Sequence, residues 1–434
     1  MRESIKNRID AVRRGEVPEG YKKAYPYIIP DDWHVVKLGT ICARTSRPNR
    51  DGKERPAYSI NNKKGFIPQN EQFEEGSYQN LDKTAYKIVK KGEFAYNPAR
   101  VNVGSIGRLR DETEVIVSSL YVCVSVNSAV DGEYFDAWTK TDDFYKETVR
   151  NTEGSVREYL FYENFANMRM PIPPLAEQQK IAEILATCDR VIELKQKLLE
   201  EKRRQKQWLM QKLLDPSSGV RLPGFENSIW KKATMSSLFD FGSSMAKSRD
   251  ELSDEGDLYL HYGDIHANER YYIDATKEYD SIPKYEGISP EKTHLHSGDV
   301  VFIDASEDYD GISKFVVIEN CDGLTFISGL HTVPCHSRDD RLTLHFKRYC
   351  FQTYLFKKQM AYYANGMKVY GVSGKDFAKV EIVFPGHEEQ RAIANVLDAI
   401  STNIELLQDE VKAMEGEKKA LMQLLLTGLV RVNT

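Results

Sequence analysis

Two stretches of the chain carry apolar residues at helical spacing with no proline inside them, from about Leu175 to Leu214 and from about Glu388 to Leu426. In the second, Ile393, Leu397, Ile400, Ile404, Leu407, Val411, Met414, Lys418, Leu421 and Leu425 fall at alternating four- and three-residue steps, the seam of a coiled coil. The first repeats the seam as Ile181, Leu185, Cys188, Ile192, Lys195, Leu199, Lys202, Lys206, Leu209 and Leu213, less cleanly because three lysines enter it. At 1.5 Å per residue each helix would be roughly 60 Å long, about twice the diameter of a small domain. Most of either seam therefore needs something beyond its own domain to bury against, and the other seam is the obvious partner. Upstream of each helix the pattern changes. β-Branched and aromatic runs (Glu114 to Val126, Val300 to Ile303, Phe315 to Ile318), broken by Gly, Asn and Asp, predict strands and turns with a few helices. Pro171-Ile172-Pro173-Pro174 and Phe384-Pro385-Gly386 then stop a strand and open a helix.

The pattern is a repeat. Gly154, Phe165, Pro173, Glu177, Ile181, Ala182 and Leu185 recur as Gly366, Phe377, Pro385, Glu389, Ile393, Ala394 and Leu397, each pair 212 residues apart. Leu209-Met210-Gln211 maps onto Leu421-Met422-Gln423 at the same offset. Farther upstream the register drifts while the order holds. Gly92-Glu93-Phe94-Ala95-Tyr96 answers Gly298-Asp299-Val300-Val301-Phe302, Val117-Ser118-Ser119-Leu120 answers Ile327-Ser328-Gly329-Leu330, and Trp33 answers Trp230. Matching ends with divergent interiors suit one scaffold that carries two different surfaces. The organisation predicted is an N-terminal amphipathic segment (1–20), a first mixed domain (21–170), a central helix (171–216), a second mixed domain (217–383) and a C-terminal helix (384–434).

The 434 residues are 41% hydrophobic and 29% charged, the composition of a folded protein in water. No apolar run approaches a membrane span, and the first twenty residues read as an amphipathic helix, not a signal peptide. The six cysteines are scattered without a CxxC pair, which favours reduced thiols and a cytoplasmic location. A net charge of −5 argues mildly against nucleic-acid binding. Local basic patches soften that objection: Arg44, Arg47, Arg50, Lys53, Arg55, Lys63 and Lys64 in one, Arg100, Arg108 and Arg110 in another.

Pro-Ile-Pro-Pro-Leu-Ala-Glu-Gln-Gln-Lys-Ile-Ala (171–182), the long helix ending Leu-Met-Gln-Lys-Leu-Leu (209–214), and Arg221-Leu222-Pro223-Gly224-Phe225 resemble the central region of Type I restriction-modification specificity subunits. Leu424-Leu425-Leu426-Thr427-Gly428 is similar to that family's C-terminal region, and Gly20 to Trp33 to its opening. The likeness covers essentially the whole chain. The second copy departs from it at Gly386-His387, where the family usually has Pro-Leu, which puts the local helix entry in question. The resemblance implies an α+β protein: two similar mixed α/β target recognition domains in tandem, separated by two long antiparallel coiled-coil helices. It implies a DNA-binding, non-catalytic subunit whose domains each read one half of an asymmetric bipartite duplex site, with the helices setting the spacing. Modification (methyltransferase) subunits would dock on it and bring their own S-adenosylmethionine, and restriction (endonuclease/translocase) subunits would join to cleave. A strut of this length is compatible with half-sites on one face of the duplex, which recur about every 34 Å.

Rival chemistry finds little support in the sequence. No GxxxxGK[ST] run and no dinucleotide-type glycine loop is present. Asn97-Pro98 begins like the Asn-Pro-Pro-aromatic signature of adenine methyltransferases, but Ala99-Arg100 follows, and no cofactor loop lies upstream. A self-contained methyltransferase is therefore disfavoured, and no cofactor is expected in this chain. Cys321, His331, Cys335, His336, His345 and Cys350 lie close in sequence, but His331-x3-Cys335 spacing fits zinc poorly, and no metal site is expected. For base reading, Arg or Lys suits guanine and Asn or Gln suits adenine. Candidate DNA contacts are Arg44 and Arg47; the small-residue loop with Asn102, Ser105 and Arg108; Asn151, Ser155 and Arg157; and Asn365, Lys368, Ser373 and Lys375 in the second repeat. A symmetric scaffold that never touches DNA is the remaining alternative, and the arginine-rich loops count weakly against it.

Overall fold

The computed structural model describes residues 3–51, 53–72, 83–153, 159–306, 311–366 and 370–433. The chain divides into two compact units, Met1–Gln196 with Glu410–Thr434, and Lys197–Asp409.

The first unit holds a four-stranded antiparallel sheet, in the order Ile106–Arg108, Phe94–Tyr96, Val122–Val126, Cys42–Thr45. A five-stranded sheet beside it places Glu114–Val117 parallel to Ala57–Asn61. The second unit repeats the plan. Phe315–Glu319, Val300–Ile303, Thr332–Ser337 and Phe239–Phe241 lie in the matching order, with Tyr272–Asp274 added at the edge. A three-stranded sheet pairs Phe326–Ser328 parallel to Asp257–Leu260. The drifting landmarks of the sequence are thus equivalent strands. Both turns that precede the central strand use a glycine in the left-handed region, Gly92 at φ 87° and Gly298 at φ 95°. Each is followed by a buried carboxylate, Glu93 or Asp299.

The long helices span Leu175–Leu213 and His387–Leu426. In the first unit, the start of the central helix packs antiparallel to the end of the C-terminal helix, with Asp189 bound to Lys418 and Lys195 to Glu410 (2.6 Å). Ile181, Leu185, Met422, Leu425 and Leu426 enter the core around Trp33, Phe94, Tyr96, Phe135 and Trp138. In the second unit the end of the central helix meets the start of the C-terminal helix: Leu199 packs with Ile400 and Ile404, and Leu213, Ile393 and Leu397 join the core around Phe302, Phe315 and Phe351. The seam read from periodicity is the buried face. Its lysines are accommodated one by one. Lys195 finds Glu410, and Lys206 stands 6.0 Å from the Tyr349 ring centroid, its pKa lowered by burial.

The Glu-Gln pair that opens each helix fastens it to its domain. Gln178 accepts the Asp131 amide (2.8 Å) and donates to the Ala129 and Pro173 carbonyls (3.2 and 3.0 Å). Gln390 does the same with Thr343 (2.8 Å), Arg341 (2.7 Å) and Pro385 (2.9 Å). The Gly386-His387 departure leaves the entry intact. The Gln390 amide reaches the Gly386 carbonyl at 3.0 Å, as the Gln178 amide reaches that of Pro174.

Candidate nucleic-acid interface

In the first unit a cleft of about 780 Å³ opens between the turn after Ala57–Asn61 and the loop around Asn102. Asn61 shapes the turn: its side-chain oxygen accepts the Lys63 and Lys64 amides (2.9 and 3.1 Å), leaving both lysines exposed at the rim. Opposite, Asn102 sits on the single turn Val101–Val103, closed by Gly104 at φ 91°. The two loops approach so closely that a Cβ at Gly107 would lie 3.1 Å from the Gly65 Cα. Deeper in the wall Asp136 is buried. Burial alone would raise its pKa, but Lys140 and Arg110, at 2.7 and 2.8 Å, hold it below the ordinary carboxylate value. Lys140 and the half-exposed Tyr145 complete the rim.

The sequence candidates divide accordingly. Arg44 is exposed on Cys42–Thr45, 3.5 Å from the exposed Glu163 and 5.9 Å from the Tyr162 ring centroid. Asn102 faces the cleft. Ser105, in contrast, is 2% exposed and donates its hydroxyl to the Ile60 carbonyl (2.8 Å), so it ties the two loops together. Arg47 is held in a fork by buried Glu93, and Arg108 binds Glu133 and the Gly92 carbonyl (3.3 Å). Arg55, from the same basic segment, is engaged by Asp51 and Glu114. These arginines are committed to internal carboxylates, which their one-dimensional clustering could not reveal. Asn151 ends the helix Asp142–Asn151 and donates to the Glu147 carbonyl (2.8 Å). Ser155, Arg157 and Lys368 lie outside the described residues.

In the second unit Asn365 is exposed, bridged to Gly371, and donates to the Tyr363 carbonyl (3.0 Å). Ser373 caps the short helix Gly374–Phe377, and Lys375 projects to solvent from it. Sequence reading missed their aromatic surroundings. Ala305–Ser306 pairs with Tyr370–Gly371, and beside that pair Asp304 binds His331 (3.2 Å). His331 in turn meets the Tyr262 ring edge-on at 5.7 Å. Tyr362 is 81% exposed on the helix leading to Asn365. Long separations in sequence hid this grouping; the excess of His in the second half was its trace.

Residues 30–202 match the family model described as Type I restriction modification DNA specificity domain. The Type I restriction enzyme MjaVIII specificity subunit of Methanocaldococcus jannaschii is 24% identical over 95% of this chain and 96% of its own length. Residues 30–202 thus carry the DNA specificity domain of the Type I family, and the likeness to specificity subunits runs along the whole chain. Specificity subunits recognise DNA for a restriction-modification complex and are not themselves catalysts. Their fold is shared as well. The HsdS subunit of Thermoanaerobacter tengcongensis superposes with a TM-score of 0.51 at 19% identity, covering 94% of this chain and 99% of that one. A chain from a structural study of complex assembly and conformational transition of the type I R-M system gives 0.59 at 18% identity, covering 93% and 100%. Among the described residues no helix is long and apolar enough to cross a membrane.

Proposed function

We propose that the two units read the two unequal halves of a bipartite duplex site, and that methyl transfer is carried out by modification subunits holding their own S-adenosylmethionine, with restriction subunits joining for cleavage. The observation that carries this reading is one scaffold with two unlike surfaces: a cleft rimmed by Lys63, Lys64 and Asn102 in the first unit, and a Tyr- and His-rich face with Asn365, Ser373 and Lys375 in the second. Lys63, Lys64 and Arg44 supply phosphate contacts, which position without specifying. Asn102 and Asn365 have the donor–acceptor pair that matches adenine.

The test is methylation mapping of host DNA with the chain and its modification subunit present, alongside binding by the assembled complex. Lys63→Ala and Lys64→Ala should weaken binding across all sequences and each lower the salt slope by about one. Asn102→Ala should cost about 1–3 kcal/mol and relax one base of a single half-site. A map in which Asn102→Ala and Asn365→Ala change nothing would remove these residues from the interface, and a site that reads as a palindrome would remove the two-surface reading itself.

A further inference from the structure

The buried carboxylates after Gly92 and Gly298 occupy equivalent turns, and each is bound by the backbone in the same way. The Lys90 amide donates to Glu93 at 2.9 Å and the His296 amide to Asp299 at 2.7 Å. Their cationic partners differ. Glu93 has the permanently charged Arg47. The ion-pair partners of Asp299 among the described residues are two imidazoles, His336 Nδ1 at 2.7 Å and His296 Nδ1 at 3.6 Å, both on the same oxygen. Buried Lys347 is directed elsewhere, to the Gly298 carbonyl and the Ser337 hydroxyl, each at 2.7 Å. A buried carboxylate is stable as an anion only with a compensating charge, and an imidazole supplies one only when it carries a second proton.

We propose that His296, Asp299 and His336 bind one borderline divalent cation of the zinc class, which fills the place that the Arg47 guanidinium fills in the first unit. One ligand atom from each residue lies within 4.8 Å of the others. Ligands about 2.0–2.1 Å from a tetrahedral ion sit roughly 3.3 Å apart, so the observed 2.7 and 3.6 Å need shifts of about 0.6 and 0.3 Å, with the two imidazole nitrogens, within 4.8 Å of each other, drawn in by rotation of the exposed His296 ring. Two imidazoles and a carboxylate select zinc, cobalt or nickel over magnesium or calcium. Asp299 is 4% exposed and fixed by the turn, whereas the His296 ring is largely open, so a solvent position remains for a fourth ligand. The ion would clamp the turn 296–299 to the strand Thr332–Ser337. Sequence spacing led to the expectation of no metal site, because two of the three ligands come from a turn some forty residues before that strand.

The test uses the full chain, stripped with a chelator and titrated with Co²⁺ and with Zn²⁺. The expected result is one saturable equivalent, Co²⁺ d–d bands without thiolate charge-transfer absorption, and a raised Tm. His296→Ala, on an exposed side chain that the fold tolerates, should weaken binding at least about tenfold. His336→Ala should do the same, while His345→Ala, whose ring pairs with Asp398, should not. Absence of saturable binding would overturn the site, as would thiolate bands or affinity unchanged by His296→Ala.

Discussion

At the start of the central helix, buried Glu177 receives Arg431 through bonds of 2.7 and 2.8 Å and the Trp33 indole at 3.0 Å. At the start of the C-terminal helix, buried Glu389 receives the Ser228 hydroxyl, with Arg221 3.9 Å away and the Trp230 indole nitrogen without a hydrogen bond among the described residues. The parts correspond one to one: a glutamate at the first turn, a tryptophan at the domain's opening, and an arginine following the end of the other helix. Even the stacking persists, with Arg431 5.9 Å from the Trp33 ring centroid and Arg221 5.2 Å from that of Trp230. A repeat can therefore keep every residue of a fastening and still close it tightly in one copy and loosely in the other. Identity of motif fixes which groups meet; the length and conformation of the connecting segment decide how well.

Four comparisons would break or sharpen that contrast. Glu177→Ala strands a guanidinium and an indole N–H and should cost about 3–4 kcal/mol, against about 1–2 for Glu389→Ala. Urea unfolding, with hydrogen exchange read separately over each unit, would show it; equal losses would mean the two fastenings are equivalent. Arg431→Ala should destabilise by about 1–2 kcal/mol, discounted because its side chain is partly exposed, and Arg221→Ala by less than about 1. Trp33→Phe removes a made hydrogen bond and should cost about 1 kcal/mol more than Trp230→Phe, whose N–H has no acceptor among the described residues. The smallest effect concerns pH. The hydrogen bond from Arg431 holds the Asp32 pKa below its ordinary value. Its contribution is complete above the unfolded pKa of about 3.9 and is lost as pH falls through the depressed folded value. Asp32→Asn should flatten the acid limb of Tm against pH; an unchanged limb would show that this pair carries nothing.

How much of this was legible in the sequence varies with the range of the interaction. The helices and their seams depend on neighbours three and four residues apart, so periodicity revealed them, down to Lys195 and Lys206 as seam positions. Constant offset revealed the repeat, and Gly92 and Gly298 marked equivalent turns because a left-handed residue there favours glycine. Charge partners were not legible. Arg47 meets Glu93 across non-local strand pairing, and Arg108 meets Glu133 where a strand packs on the helix Gly132–Trp138, so a cluster of arginines in sequence became a set of internal ion pairs in space. The cleft rim at Lys63, Lys64 and Asn102 was half visible, as a charge patch and a small-residue loop with no sign that they face one another. Asp299 with its two histidines was hidden for the same reason.

The division of the chain bears on how it is made. The second unit is one continuous stretch, Lys197–Asp409, whereas the first is completed only by Glu410–Thr434, which are synthesised after it. Synthesis at about 5–20 residues per second therefore leaves the apolar surface around Trp33 and Ile181, which Met422, Leu425 and Leu426 cover in the finished core, waiting while the whole second unit is translated. The part made first is finished last. A nascent chain in this state exposes a surface that chaperones recognise, and a product truncated before residue 410 would never bury it. Such a product would carry an intact second surface on a first unit that cannot close, which makes early termination detectable by proteolysis before assembly begins.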